Sequence, residues 1–596
     1  MDSMVGFTSK INDFFSAVLP EPLRTPLHDS MPFQEDSLDT NICVTELSKP
    51  EVDRLLRIYW ARYHPLAPVF RKYDFGHHYD LLWSNTAEGQ QHPPLVDAVI
   101  ALCIQNVFYS GLDNHLFGFQ GDRVSDQGIQ TPLGQYYFRK CLAGINYSET
   151  FAKPTLLVIQ CYIIMILYLT GAGQLQAAYN MTGFAVRLAH TLNLDRDPRA
   201  APNAEAELRA RIWWTLVHLD FRCSRQLGSP IGVQLVDTTC PLPEEHMRSP
   251  LGIECWPYHE QSVRLTSAAL RVTEAASRRP DTPSDHSLAE VEARAQILSE
   301  GLHPLRQWRD KILRIWTLGR LYLDSDAVLS LDVDDFDNDA IERTPSQVLE
   351  TTLLELQYHD AVIGLHRPFI RFPRHFSYSE RSPWADAHAT TSLKHAMAAI
   401  KIVRYRMTSS EVLYGCFELY QWQWNAVLTL IGFMLAHPLC FWCPGARKHA
   451  DSALEVFEAA GSRNSFAMRA ASLTKHLCAK VDGLVALLKP DHKNSHVCVP
   501  VLAEKNTAGH ECPSSGPEGF VHLSGSNDGN REIQLDNIVH EHPHVITSEP
   551  YHDGLWDWVE DIDPNAWLRY YDEVSAVYKD LHDVSSDEPC FRHANI

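Results

Sequence analysis

Apolar residues recur at steps of three and four over most of the chain between residues 46 and 490, the ~3.6-residue period of a helix with one buried face. Glu46 to Tyr63 reads as a helix in which Val52, Leu55, Leu56 and Tyr59 share a side. Further helices are predicted over Leu95–Ser110 and Leu133–Ile145, then as a pair across residues 155–197 and again over 205–230. Arg278-Arg279-Pro280 through Ser287 interrupts the next pair, and Leu288 to Leu302 resumes it. Pro345-Ser346 opens a helix that ends near Leu365-His366, and a second helical block runs from Pro383 to Leu488. Loops rich in Gly, Pro and polar residues are expected at 111–131 and 234–260, with an acidic one near 331–348. No segment alternates with period two between turn signals, so a sheet is not expected. The pattern predicts an all-α, large multi-helix domain over residues 46–490.

The flanks differ. Residues 1–45 carry scattered Pro, Asp and Ser without sustained periodicity, and a disordered arm is expected there. Residues 491–550 are Ser, Gly, Asn, His and Pro in no periodic order, the composition of a disordered linker. In residues 551–582, acids alternate with large aromatics, including Trp556, Trp558, Ile562 and Trp567. Such a segment suits an activation role: charges keep the aromatics solvated until a coactivator groove accepts them. A short helix docking back on the domain needs the same pattern.

The stretch 205–230, EAELRARIWWTLVHLDFRCSRQLGSP, carries the most information. Glu207 and Arg211 stand four apart with the acid N-terminal, the favourable order on a helix. Trp213, Val217, Asp220, Ser224 and Leu227 form one stripe. A carboxylate in that stripe needs polar partners, and Arg209, Arg211, Arg222 and Arg225 are the nearest candidates. Gly228 and Pro230 supply a helix stop.

These residues resemble the signature of the fungal transcription-factor regulatory ("middle homology") domain, usually found behind a Zn2Cys6 DNA-binding cluster. Glu205, Glu207, Arg209, Arg211, Trp213, Trp214, Asp220, Ser224, Gly228 and Pro230 fill its pattern, while Ala210, Phe221 and Ser229 depart from it. Upstream, Gly183, Ala185, Arg187, Leu188, Ala189, Leu192, Leu194, Arg196 and Asp197 are similar to the family's preceding unit. Leu365-His366-Arg367-Pro368 resembles its later Arg-Pro element, and Tyr59…His64-Pro65…Pro68-Val69-Phe70 its first helix and turn. The resemblance implies an all-helical regulator of RNA polymerase II transcription, nuclear, specific to a pathway or gene cluster in secondary metabolism or carbon use. It also implies a domain that restrains an activation segment and responds to metabolites or partners. Arg211, Trp213, Trp214, Asp220 and Arg367 are expected to serve as structural pivots.

Composition narrows this further. With 45% hydrophobic and 21% charged residues in 596, the chain is ordinary globular material. A formal net charge of -22 opposes general attraction to nucleic acid, so DNA would be reached through a zinc-cluster module or as a co-regulator through a partner. No Cys-x2-Cys-x6-Cys cluster is present, and only Cys43 precedes the domain. Zinc is therefore expected only with such a module, and no cofactor or metal site within this chain. Cys440-Phe-Trp-Cys443 beside His437 and His449 reads as chance spacing among fourteen cysteines, and His540-Glu-His542-Pro-His544 as solvated linker. Pro154 to Val186 lacks charge, but its apolar core, Leu156–Leu169, is shorter than the ~18 residues of a membrane span. A buried helix is expected, with no membrane association. Without a phosphate loop, a nucleophile elbow or a full dinucleotide motif after Gly171-Ala-Gly173, an enzyme is not expected. Homodimerisation stays open, since no stretch carries three clean heptads.

Overall fold

The computed structural model describes residues 4–18, 46–84, 93–110, 132–145, 153–197, 203–243, 258–277, 288–312, 345–372, 382–409, 413–438, 440–462 and 464–488. The linker at 491–550, the acidic–aromatic residues Trp556, Trp558, Ile562 and Trp567, and the acidic run at 331–344 lie outside them. The described residues are helical and contain no strand.

Helices α1 (Met4–Val18), α2 (Lys49–Ile58), α3 (Lys72–Ser84), α4 (Pro94–Ser110) and α5 (Pro132–Gly144) open the chain. They are followed by α6 (Leu156–Gly171), α7 (Leu175–Thr191), α8 (Asn203–Leu227), α9 (Tyr258–Ser277) and α10 (Leu288–Gly301). The last five are α11 (Pro345–His366), α12 (Pro383–Ser409), α13 (Phe417–Ala436), α14 (Cys443–Gly461) and α15 (Ser465–Leu488). Helix α8 packs on α7, α9, α6 and α1, and α13 packs on α11, α12, α14, α15 and α1. The uncharged stretch from Pro154 divides into α6 and α7 at a turn where Gly173 adopts φ +74°. No described helix is long and apolar enough to cross a membrane. At Gly171 a Cβ would stand 2.2 Å from Gln105 Oε1, so glycine there lets α4 and α6 approach while Gln105 donates to the Tyr168 carbonyl at 3.0 Å.

Part of the expected arm is a core element. Met4, Phe7, Ile11, Phe14 and Phe15 are buried on one face of α1, a spacing of three and four that the scattered polar residues of 19–45 obscure. Burying each is worth about 2 kcal/mol. The Phe7 ring packs on Phe372 at 5.8 Å and beneath the Arg367 guanidinium at 4.8 Å. It also lies over Gly432 of α13, where a Cβ would meet it at 2.3 Å.

Between α11 and α12 the core holds two imidazole pairs. His359 and His366 stand seven apart on α11, as do His388 and His395 on α12. The pairs meet Nδ1 to Nδ1 at 2.8 Å (His359, His395) and 2.7 Å (His366, His388). Two protonated rings cannot meet through those nitrogens, so one ring of each pair must present a lone pair. In the second pair, His388 Nε2 faces the Ala295 carbonyl at 2.8 Å and must donate, leaving His366 to donate through Nδ1. Burial pushes His359 down to about 3 and His388 to about 4, and holds His366 and His395 well below the usual imidazole range. Burial likewise takes His218 and His259 to about 3.

These imidazoles stay neutral in the native state but take up protons on unfolding once pH falls below about 6.5. The unfolded chain then binds more protons, so stability drops with falling pH, by about 1.4 kcal/mol per unit for each ring. Asp97, which burial pushes up to about 7, opposes the trend as one group. Asp220 and Glu350, also raised by burial, oppose it further. Urea midpoints measured from pH 7.5 to 5 should hold above 6.5 and fall steeply below it; a flat profile would contradict the neutral pairs.

Candidate functional site

Helix α8 begins with i,i+4 pairs that favour its first turns, Glu205–Arg209 at 3.8 Å and Glu207–Arg211 at 3.2 Å. Both are partly exposed and contribute little to stability by themselves. The tryptophans follow at once. Trp213 is fully buried with its ring edge-on to His190 at 5.1 Å, and Trp214 is 4% exposed with Nε1 donating to the Pro241 carbonyl at 2.8 Å. Trp214 therefore ties the middle of α8 to the chain leaving its far end.

Asp220 does the same one turn and a half later, and its partners correct the expectation of an arginine. Its Oδ2 accepts the backbone N–H groups of Gly232 and Val233 at 2.8 and 3.0 Å. The reason lies in the helix stop. Gly228 adopts φ +75°, which only glycine takes without strain, and its N–H reaches the Ser224 carbonyl at 2.8 Å. Pro230 then directs the chain back along α8, Ser224 Oγ donates to the Pro230 carbonyl at 3.2 Å, and the Gly232 and Val233 amides arrive at Asp220. Burial pushes the Asp220 carboxyl up, and the two N–H groups pull it back.

The arginines on the other side of α8 reach the second half of the fold instead. Arg222 donates to Glu418 at 3.3 Å and to Gln421 at 2.9 Å, both on α13. Arg225 donates to the Asp360 carbonyl at 2.8 Å and pairs with its carboxylate at 3.4 Å, on α11. Asn425 Nδ2 donates to the same carboxylate at 2.6 Å and Asn425 Oδ1 accepts from Arg367. Arg367, 2% exposed, in turn covers Phe7 of α1. One chain of contacts thus links α8, α11, α13, the turn after α11, and α1. Gly364 makes room for it: a Cβ there would stand 1.8 Å from an Arg225 nitrogen.

A cavity lies along this network, lined by Met4, Arg222, Arg225, Asp360, Gln421 and Asn425 among others. Its free interior is about 40 Å³, room for a few waters and not for a drug-sized ligand. His218 lines it with Nδ1 2.9 Å from Thr266 Oγ1. Burial keeps that ring neutral to about pH 3, and Thr266 Oγ1 donates its proton to the Ser262 carbonyl at 2.9 Å, so the hydroxyl accepts from the ring and the contact serves packing.

The structure gathers Trp213, Trp214, Asp220 and Ser224 in the core of α8, with Gly228 and Pro230 forming the exposed turn behind them. Glu207 and Arg211 stand at its open N-terminal half, Arg367 joins the network through Asn425, and Arg187 is exposed on α7. Sequence reading missed Asp360, Glu418 and Gln421, whose pairing with α8 spans more than a hundred residues, and Asn425, which joins Asp360 to Arg367. Cys443 donates to the His437 carbonyl at 3.0 Å, His449 Nδ1 faces its own helix at Gly445, and no group of three or more metal-ligating side chains occurs among the described residues.

Residues 56–257 match the fungal specific transcription factor domain family. The chain is 28% identical over 523 residues to the terreic acid cluster-specific transcription factor atF of Aspergillus terreus, across 80% of this chain and 76% of that protein. It is 27% identical over 454 residues to transcription factor asqA of Emericella nidulans, across 72% and 78%. To the oosporein cluster regulator OpS3 of Beauveria bassiana it is 26% identical over 426 residues, across 64% of this chain and 54% of that one.

Replacing Asp220 separates its role from simple packing. Asp220→Ala leaves two amides without an acceptor and should cost about 3–5 kcal/mol, whereas Asp220→Asn keeps one accepting oxygen and should cost about 1–2. Urea unfolding of both variants measures this; an alanine variant as stable as wild type would contradict the clamp.

Proposed function

From the premise that this chain is a transcription factor, not an enzyme, carrying the fungal specific transcription factor domain, we propose that it governs the genes of one secondary-metabolite cluster. The observation that carries this reading is the extent of similarity to the atF cluster regulator, which continues through 80% of the chain and well past the matched domain. The protein acts in the nucleus. The net charge of -22 supports contact with DNA through a zinc-cluster module or a partner protein, zinc entering only with such a module.

In this reading the helical domain restrains the acidic–aromatic segment around Trp556, Trp558, Ile562 and Trp567, which recruits coactivators when released. Restraint needs two packing states, and an effector acts by binding one better than the other. The network from Arg225 through Asp360 and Asn425 to Arg367 suits that role: partial loss leaves buried charges unpaired, so it is stable complete or broken, with little between.

The test is transcript profiling in a fungus lacking the gene. Expressing the full chain should restore one co-located biosynthetic gene cluster, and a variant with Trp556, Trp558 and Trp567 all changed to Ala should not. If no cluster responds, the assignment fails; if the triple variant restores expression fully, residues 551–582 are not the activating segment.

A further inference from the structure

Two thiols meet at the corner between α13 and α14. Cys440 is partly exposed, and every other described cysteine, Cys443 included, is buried. Residues 440–443 form a tight turn in which the Cys443 N–H donates to the Cys440 carbonyl at 3.0 Å. A turn of this kind keeps its end Cα atoms within about 7 Å, and a disulfide spans about 4.4–6.8 Å between Cα atoms. Within the turn the side chains divide: Phe441 is 56% exposed, whereas Trp442 is buried beneath Lys394 of α12.

One oxygen brings the two residues closer still. The His437 carbonyl accepts the Cys440 N–H at 3.0 Å and the Cys443 S–H at 3.0 Å. The Cys443 sulfur therefore lies beside the Cys440 backbone, whose N–H also reaches it. A single rotatable bond separates the Cys440 sulfur from that backbone, so a change of rotamer carries it to its neighbour. The His437 carbonyl keeps the Cys440 N–H when the Cys443 S–H is lost, so joining the sulfurs leaves no acceptor unpaired.

We propose that Cys440 and Cys443 form a redox modification site, a dithiol that a hydroperoxide converts reversibly into a disulfide joining the end of α13 to the start of α14. Cys440 is the entry point because its side chain is open to solvent while Cys443 is enclosed. Its thiolate takes the distal oxygen of the peroxide, the O–O bond breaks, and an alcohol or water leaves. The Cys443 sulfur then attacks the resulting sulfenic acid: the S–S bond forms, the S–O bond breaks, and the oxygen departs as water with the thiol proton. Two electrons pass from the pair of thiols to the peroxide. Burial pushes the Cys443 thiol up to about 12, which keeps it from reacting first. Its fixed place beside Cys440 offsets that handicap in the closing step. The site adds an input to the domain whichever genes the protein governs, and it does not rest on the gene-cluster reading.

Peptide mapping of the full chain after exposure to a modest excess of hydrogen peroxide tests this. In wild type the peptide containing both cysteines should lose two hydrogens, with fragmentation assigning the loss to residues 440–443, and dithiothreitol should restore both thiols. Cys443→Ser keeps a donor for the His437 carbonyl; it should form no such bond and should raise capture of a Cys440 sulfenic acid by dimedone at least fivefold over wild type. Cys440→Ser, a change at a partly exposed position, should leave Cys443 a thiol under the same conditions. Absence of the bond in wild type, Cys440 ending as a sulfinic acid or bonded to another cysteine, or oxidation of Cys443 in the Cys440→Ser variant would overturn the proposal. The readout involves no transcription, so its failure leaves the gene-cluster assignment standing, and failure of that assignment leaves the mapping result intact.

Discussion

Two arginines one turn apart on α8 hold the fold's two halves in register. Arg222 reaches Glu418 and Gln421 on α13, and Arg225 reaches Asp360 on α11. A buried ion pair adds little net stability over an apolar contact of equal shape, because desolvation offsets the attraction. It does, however, define geometry strictly, since a misplaced partner leaves a charge buried alone. Apolar packing between α8 and its neighbours would tolerate several angles. The guanidinium contacts allow few, and Gly364 shows how closely the helices must come for them to form.

The other features of α8 make sense as supports of that register. Trp214 and Asp220 both tie the helix to the segment that leaves its end, through Pro241, Gly232 and Val233. This fixes the helix along its axis and in rotation, so the arginines point one way. From the other side, α1 lays Phe7 under Arg367 and seats it in the space above Gly432. A contact set of this kind holds rigid elements in one relative geometry, whereas a plastic interface would absorb a shift of either.

Much of this was legible in the sequence, but unevenly. The stripe from Trp213 to Ser224 and the stop at Gly228 and Pro230 follow from local rules, and the helical class follows from periodicity throughout. The partner of Asp220 did not. Arginines were the nearest cations along the helix, yet the amides that reach it come from a backbone reversal whose path no local rule describes. Helix α1 was hidden for a different reason: its apolar face spans only Met4 to Phe15, and the polar stretch after it dominates the composition of residues 1–45. Its burial depends on Gly432 and Phe372, more than three hundred residues away. The imidazole pairs carried a signal, a seven-residue repeat in each helix, that becomes meaningful only once α11 and α12 are known to be neighbours.

The central claim is that the Arg225 contact governs cooperation between the halves. Native-state hydrogen exchange of Gly364→Ala probes it most directly, because the added methyl occupies the guanidinium's place without removing any charged group. Taken locally, alanine should strengthen a helix by about 1 kcal/mol over glycine. The account predicts the opposite: residues 203–227, 345–366 and 417–436 should lose protection together. Unchanged or increased protection, or a loss confined to the turn around residue 364, would contradict it.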